Sequence, residues 1–272
     1  MIKSLSLKFV LGAKFALAAF LITCAPPHAA RAQTPGNLAP GAPGKDAQWP
    51  GAGKSGVGTS NSLESKVWFT LGDGVMTEVY YPTVDVANTR TLEFVLVRGV
   101  GANRRVELES ADTVHRTEVL GAQSLSFRQV STAKDGTYTI TKTYSTDPER
   151  HTILVDVQFR SHPAGGPFAL YVYYDPSLAN SGMHDAAWTQ GQDGALLASD
   201  ADKASALVAS TGFAETTNGY FETSDGLTQL RSGGRITNPY VRASDGNVVQ
   251  LARVSTSAAY MLTAAYAAST RT

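Results

Sequence analysis

The sequence predicts an all-β fold: one domain, built as a large antiparallel β-sandwich. Three observations predict it. In HTILVDVQFRS, residues 151–161, Ile153, Val155, Val157 and Phe159 share one face and Asp156, Gln158 and Arg160 the other, the period of a strand buried on one side. Asp-Gly pairs stand at 73–74, 135–136, 193–194, 225–226 and 245–246, and both residues tolerate the positive φ of tight hairpin turns. No long helical pattern occurs beyond the N-terminal segment. Repeated hairpins without crossover helices build a sandwich or a barrel, and the number of candidate strands favours two stacked sheets.

The N-terminal segment reads as an address. Lys3, Lys8 and Lys14 precede the apolar run FALAAFLITC, and Ala30-Arg31-Ala32 follows. This is a secretory signal peptide over residues 1–32, cut before Gln33, and it predicts a periplasmic or extracellular protein. The ten-residue run is well short of the ~20 residues a spanning helix needs, so no membrane attachment is expected after processing. Thr23 is larger than the residue usual before a lipidated cysteine, which disfavours a lipid anchor on Cys24. Cleavage removes Lys3, Lys8, Lys14 and Arg31 and no acid from a balance of 23 basic against 23 acidic residues, leaving a net charge of −4. Cys24, the sole cysteine, leaves too, so no disulfide, thiol nucleophile or cysteine metal ligand is expected. Mild acidity without a basic cluster argues against a nucleic-acid partner. The remaining 240 of 272 residues fit a single large domain.

Residues 33–60, rich in Gly, Pro and Ala, are expected to form an extended leader before a β-domain over 61–272. Gly51-Ala52-Gly53-Lys54-Ser55-Gly56 imitates a nucleotide-binding glycine turn, but Trp49-Pro50 precedes it and no helical pattern follows, so the context that chemistry needs is missing. The Walker spelling would also need a glycine where Gln48 stands. Strands are then predicted at Glu78–Tyr81 (between the Asp73-Gly74 turn and Pro82), Thr91–Val97, 137–145, 151–161, Leu170–Tyr174, Gly194–Ser199 and Ala206–Ser210. VRASDGNVVQLARV, residues 241–254, reads as a hairpin turning at Asp245-Gly246.

GDGVMTEVYYPTVD, residues 72–85, sets Asp73, Glu78 and Asp85 beside Tyr80 and Tyr81. Glycoside cleavage needs two carboxyl groups roughly 5–9.5 Å apart across the bond. Asp73 and Glu78 are separated by an odd number of positions, as are Glu78 and Asp85, so on one strand each pair points to opposite faces. Nothing local builds an acid pair, and a strand with its turn is the expected role. His115, His151, His162 and His184 show no zinc spacing, and no G-x-S-x-G elbow occurs. His184-Asp185 is the most suggestive imidazole–carboxylate neighbour pair, although such loop neighbours more often cap a turn. No cofactor is expected; Asp200 and Asp202 are the weak candidates for a structural calcium. Trp68, Phe69, Tyr80 and Tyr81 flank the first hairpin, and Tyr171, Tyr173 and Tyr174 precede Asp175-Pro176. Such rings stack on sugars or fill a core, the core or an interface being expected for most.

Gly56-Val57-Gly58-Thr59, Val67 to Leu71, Gly74, Glu78 to Pro82 and Asp85, with Ser224-Asp225-Gly226 and Asp245-Gly246-Asn247 further on, resemble the N-terminal β-domain of bacterial glucoamylases and glucodextranases. The resemblance runs from about Pro40 to Val254. It implies a β-supersandwich of the galactose-mutarotase-like type that packs, in cis in relatives or in trans, on an (α/α)6 barrel carrying two catalytic glutamates. MLTAAYAASTRT ends at Thr272 where the family continues into a helical linker, so the catalytic acids are expected outside this chain. Leu227 and Gln229 replace the family's usual tryptophan and acid after S-D-G. The function implied is a non-catalytic domain of a secreted exo-α-glucosidase, inactive alone, with an α-glucan or oligosaccharide as partner. Trp68, Glu78, Tyr80, Tyr81, Asp85, Trp188 and Asp225 are the candidate sugar- or barrel-facing residues. A free-standing carbohydrate-binding module stacking sugars on Tyr80, Tyr81 and Trp188 is the alternative reading. A sugar mutarotase, suggested by fold-level analogy, is the third.

Overall fold

A computed structural model describes residues 38–121, 125–162, 167–257 and 259–268. The signal peptide expected over 1–32 lies outside the described residues. In chain order the strands are β1 Gly56–Thr59, β2 Trp68–Gly72, β3 Val75–Tyr80, β4 Ala87–Thr89, β5 Thr91–Arg98, β6 Arg105–Leu108, β7 Thr113–Val119, β8 Phe127–Ala133 and β9 Tyr138–Thr146. They continue as β10 Thr152–Ser161, β11 Phe168–Asp175, β12 Asp185–Gln190, β13 Ala195–Asp200, β14 Lys203–Ala209, β15 Glu215–Tyr220, β16 Arg242–Gly246, β17 Val248–Val254 and β18 Tyr260–Ala268. A one-turn helix α1, Glu109–Asp112, follows β6, and the eight-residue α2, Gly226–Gly233, follows β15.

Two nine-stranded sheets result. The first runs β1-β2-β3-β5-β11-β17-β15 with β4 on β3 and β6 on β5; the second runs β16-β12-β13-β14-β18-β10-β9-β8-β7. The pairings between these strands are antiparallel. The period-two pattern decides which residues face the partner sheet. Phe69, Leu71, Leu92, Phe94, Leu170 and Val172 of the first sheet meet Ile140, Tyr144, Ile153, Val155, Leu207 and Leu262 of the second in one core. Inside it Lys142, wholly buried, pairs with the equally buried Glu109 at 2.8 Å and donates to the Gly74 carbonyl at 2.7 Å. Burial pushes this ammonium below the ordinary lysine value. A charge in the core is tolerable only when paired and hydrogen-bonded in this way.

A smaller apolar layer covers the outer face of the first sheet. Val95, Val97, Tyr171, Tyr173, Val249 and Leu251 pack beneath Leu227 and Leu230 of α2. The expected turns at 73–74, 135–136 and 193–194 do close antiparallel pairs, β2–β3, β8–β9 and β12–β13. Asp73 and Gly74 hold φ of 49° and 75°, the two-residue turn that matches strand twist.

Two other Asp-Gly readings are corrected. Asp225-Gly226 opens α2: the Asp225 side chain accepts from the Thr228 N–H and caps the helix. Asp245-Gly246 makes no hairpin, because β16 pairs with β12 in the second sheet while β17 pairs with β11 and β15 in the first. Asp245 has the expected positive φ of 58°, but the chain uses it to pass between sheets. The end of the leader supplies β1. A Cβ on Gly58 would stand 2.2 Å from the Phe69 ring and one on Gly56 2.8 Å from Phe127, so the glycines of G-V-G-T let the core aromatics reach the backbone of β1.

Candidate functional site

The outer face at the β2–β3 end of the first sheet gathers three of the seven predicted residues. Val67, Phe69, Leu71 and Val79 are fully buried inward, so alternation turns Trp68, Glu78 and Tyr80 outward. Trp68 and Tyr80 stand directly opposite one another. Glu78 is nearly buried: its Oε2 accepts from the Thr70 hydroxyl at 2.8 Å and is ion-paired with Lys54 of the leader. Desolvation and then the Glu78 charge raise the Tyr80 phenol above its ordinary value. Two further large apolar residues stand close by in the chain, Leu63 in the segment entering β2 and Val84 in the turn leaving β3, 95% and 59% exposed.

The other predicted residues stand elsewhere. Tyr81 points to the opposite side from Tyr80, 7% exposed in the main core, with its ring 4.7 Å from that of His151; it offers no open face to a sugar, which corrects that expectation. Asp85 is in an exposed turn, its backbone carbonyl accepting from the Asn180 amide. Trp188 lies on the outer face of the second sheet, half-buried, with the Arg242 guanidinium 5.5 Å from its ring centre. Tyr80, Tyr81 and Trp188 therefore form no common platform.

Asp225 lines a cleft that the sequence did not reveal, a cavity of about 170 Å³ between the start of α2 and the outer face of β5 and β11. Glu93, Glu222, Asp225, Arg90 and Tyr173 contribute to it. Each carboxylate is already engaged. Asp225 accepts the Thr228 N–H and hydroxyl at 3.0 and 2.9 Å, Glu222 pairs with Lys45 at 2.6 Å, and Glu93 Oε2 accepts the Ser110 hydroxyl at 2.7 Å. Arg90 is bound to Asp175 at 3.0 Å and donates to the Gln48 carbonyl. Burial pushes both Glu93 and Asp175 above the usual carboxylate range. The cleft joins residues from separate strands, and in sequence only the outward parity of Glu93 and Tyr173 beside buried neighbours could have pointed to it.

His184 and Asp185 point apart. His184 Nδ1 bonds Asp245 Oδ1 at 2.9 Å, which raises the imidazole above its ordinary value, while Asp185 is buried beneath the Leu178 N–H. Asp202 is paired with Lys203 at 2.6 Å. Among the described residues no three His, Cys, Asp or Glu side chains converge as metal ligands.

Known proteins match this arrangement. A family model described as glucodextranase, domain N, matches residues 39–272. A glucoamylase of Clostridium sp. (strain G0005) is 33% identical over 215 residues, which are 78% of this chain and 30% of that protein. The crystal structure of a bacterial glucoamylase complexed with acarbose superposes with a TM-score of 0.80 at 30% identity, over 85% of this chain and 35% of that one. This chain thus spans about a third of the length of these relatives. The superposition agrees with the sandwich that alternation predicted, and the region matched by the family model takes in both sheets and α2. The chain belongs to the glucodextranase domain N family.

Proposed function

We propose that this chain serves as the non-catalytic N-terminal β-domain of a secreted glucoamylase- or glucodextranase-type exo-α-glucosidase acting on α-glucans, packing against a catalytic (α/α)6 domain. One observation carries the reading: the family match fills residues 39–272 yet corresponds to only 30% of the Clostridium glucoamylase. The facing Trp68 and Tyr80 on the outer side of the first sheet, with exposed Leu63 and Val84 in the segments that flank β2 and β3, support it, because exposed large apolar groups mark contact surfaces. The carboxylates of the α2 cleft support the non-catalytic part. A glycosidase needs one carboxyl free to give a proton and another free to attack or to activate water. Asp225 and Glu222 are held by a helix N-terminus and a lysine.

A chimera tests this reading. Residues 39–272 replace the matching third of the Clostridium glucoamylase, and glucose release from maltooligosaccharides is measured beside that of this chain alone. The chimera is expected to release glucose and the isolated chain none. Release by the isolated chain that disappears in Glu93→Gln would overturn the proposal, as would an inactive but folded chimera.

A further inference from the structure

Strand β7 ends the second sheet, and its outer edge is open. Hydrogen bonds just beyond its two ends fix the phase: the Leu120 N–H donates to the Ser126 carbonyl at 2.9 Å and the Lys134 N–H to the Asp112 carbonyl at 3.2 Å. Even-numbered residues of β7 therefore exchange bonds with β8, and the N–H and C=O groups of His115, Thr117 and Val119 point away from it. No strand or loop among the described residues takes those groups up. The other ends of the sheets are covered or short. Arg242 of β16 accepts from the Ala39 N–H, Asn218 of β15 donates to the Tyr240 carbonyl, and β1 has four residues. An unpaired edge of seven residues is a template for another strand.

Side chains select that strand. Arg116 and Glu118 lie on the outer face, across from Val130 and Arg128 of β8. Glu118 Oε1 takes the Arg128 guanidinium at 3.2 Å, while its Oε2 is 4.0 Å from Arg116, whose side chain is 71% exposed. A cation and an anion flanking Thr117 complement a copy of themselves run antiparallel. With Thr117 opposite Thr117, the outward groups of His115 meet those of Val119, and each Arg116 faces the other copy's Glu118. Moving the centre to Arg116 or to Glu118 would set like charges face to face, which is destabilising.

We infer that β7 pairs antiparallel with β7 of a second copy of this chain, centred on Thr117, so that the two second sheets join across a two-fold axis. Both copies offer the same edge, so the contact is self-complementary and closes as a dimer. Glu118 then lies between two guanidiniums, Arg128 of its own chain and Arg116 across the edge. This pairing is independent of the glucoamylase reading above.

Sedimentation velocity on the full chain at low micromolar concentration is expected to show a particle of two chains. Arg116→Glu and Glu118→Arg each set like charges opposite one another twice in the dimer. Either one should raise the dissociation constant about a hundredfold and leave monomer. Combined in one chain they put opposite signs back across the edge, and most of the dimer should return. Thr117→Pro removes an N–H aimed at the partner and none aimed at β8, so a folded monomer is expected. Trp68→Ser on the first sheet, and Val114→Ser with Val119→Ser, keep the edge groups and both charges and should stay dimeric. Any larger association at higher concentration belongs to other surfaces and should persist in the β7 variants. Thermal melts confirm that each variant is folded. A monomeric native chain, a dimer indifferent to both single charge reversals, or loss in the single variants without recovery in the double one would overturn the inference.

Discussion

Asp185 shows how much a single buried carboxyl can dictate. Both its oxygens lie 3.2 Å from the Leu178 N–H, the residue is fully buried, and Asp175 and Asp200 add like charge, so its pKa is pushed up from 3.8 to about 8, chiefly by burial. Asp175 has Arg90 to offset its charge; Asp185 has no cation among the described residues. The segment it anchors is strained: Ser177, Ala179 and Asn180 adopt φ of 36°, 53° and 63°, each costing roughly 1–2 kcal/mol for an L-residue. Asn88 and Asn180 hold that conformation by accepting the Ala179 and Ala87 N–H groups at 3.2 and 2.7 Å. In the folded state Asp185 keeps its proton up to about pH 8, whereas the unfolded chain releases it near 3.8. The stability it contributes is therefore complete below the lower value and lost as pH rises through the higher one. Denaturant titrations should show the native chain losing on the order of a few kcal/mol relative to Asp185→Asn between about pH 4 and 8. Parallel pH profiles for the two proteins would reject the assignment. The side-by-side His184-Asp185 spelling drew attention to this place for a different reason; neighbours on an extended segment face apart, so one reached solvent and the other the interior.

At the scale of elements, strands announced themselves wherever one face was buried, because parity is a local property. Residues 138–146 and 152–161 alternate as the sequence predicted, down to the inward Tyr138, Ile140 and Tyr144. Connections did not, because an Asp-Gly pair specifies positive φ without naming the partner strand. Asp225 had a second signature that could have revealed α2, with apolar Leu227 and Leu230 three apart and Gly234 at a φ of 71° closing the helix. The leader was legible only as extended chain, since Gly- and Pro-rich composition does not say what it crosses. It crosses the first sheet: the Ser55 N–H donates to the Leu71 carbonyl at 2.7 Å, Lys45 reaches Glu222, and Lys54 reaches Glu78. The Lys54–Glu78 pair is largely withdrawn from water, the side chains being 19% and 10% exposed, so removing the lysine leaves a poorly solvated carboxylate. Lys54→Met should cost roughly 1–3 kcal/mol, less than a wholly buried pair, and should open the leader to proteolytic cutting near Gly51-Ala52-Gly53. Unchanged stability together with unchanged protease resistance would show that the strap is held by its backbone contacts alone.

Across the whole molecule the two sheets solve the same problem differently. The first carries large apolar residues on its outer face and covers them with α2. The outer face of the second has no helix over it among the described residues and presents many small residues, Thr139, Thr141, Thr143, Ala204, Ala206, Thr263 and Ala265, beside the larger Trp188, Leu197 and Val208, all at least partly exposed. Leu63, Trp68 and Val84, in and around β2 and β3 of the first sheet, are among the large apolar residues left exposed. If they form the surface that meets a catalytic domain, the chain alone should bind a hydrophobic dye and associate with rising concentration, since monomers seldom leave such a patch open. The triple variant Leu63→Ser, Trp68→Ser, Val84→Ser should lower dye fluorescence severalfold and abolish concentration-dependent light scattering with little change in melting temperature, as exposed substitutions rarely alter stability by more than ~0.5 kcal/mol. Val114 and Val119, on β7 at the edge of the second sheet, are 67% and 56% exposed and lie in the other sheet from Trp68 and Tyr80. Changing both to serine should leave dye binding and scattering near the native level. Equal effects from the two sets would mean that general surface hydrophobicity, rather than this end of the first sheet, drives association, and the docking role of Trp68 and Tyr80 would fall.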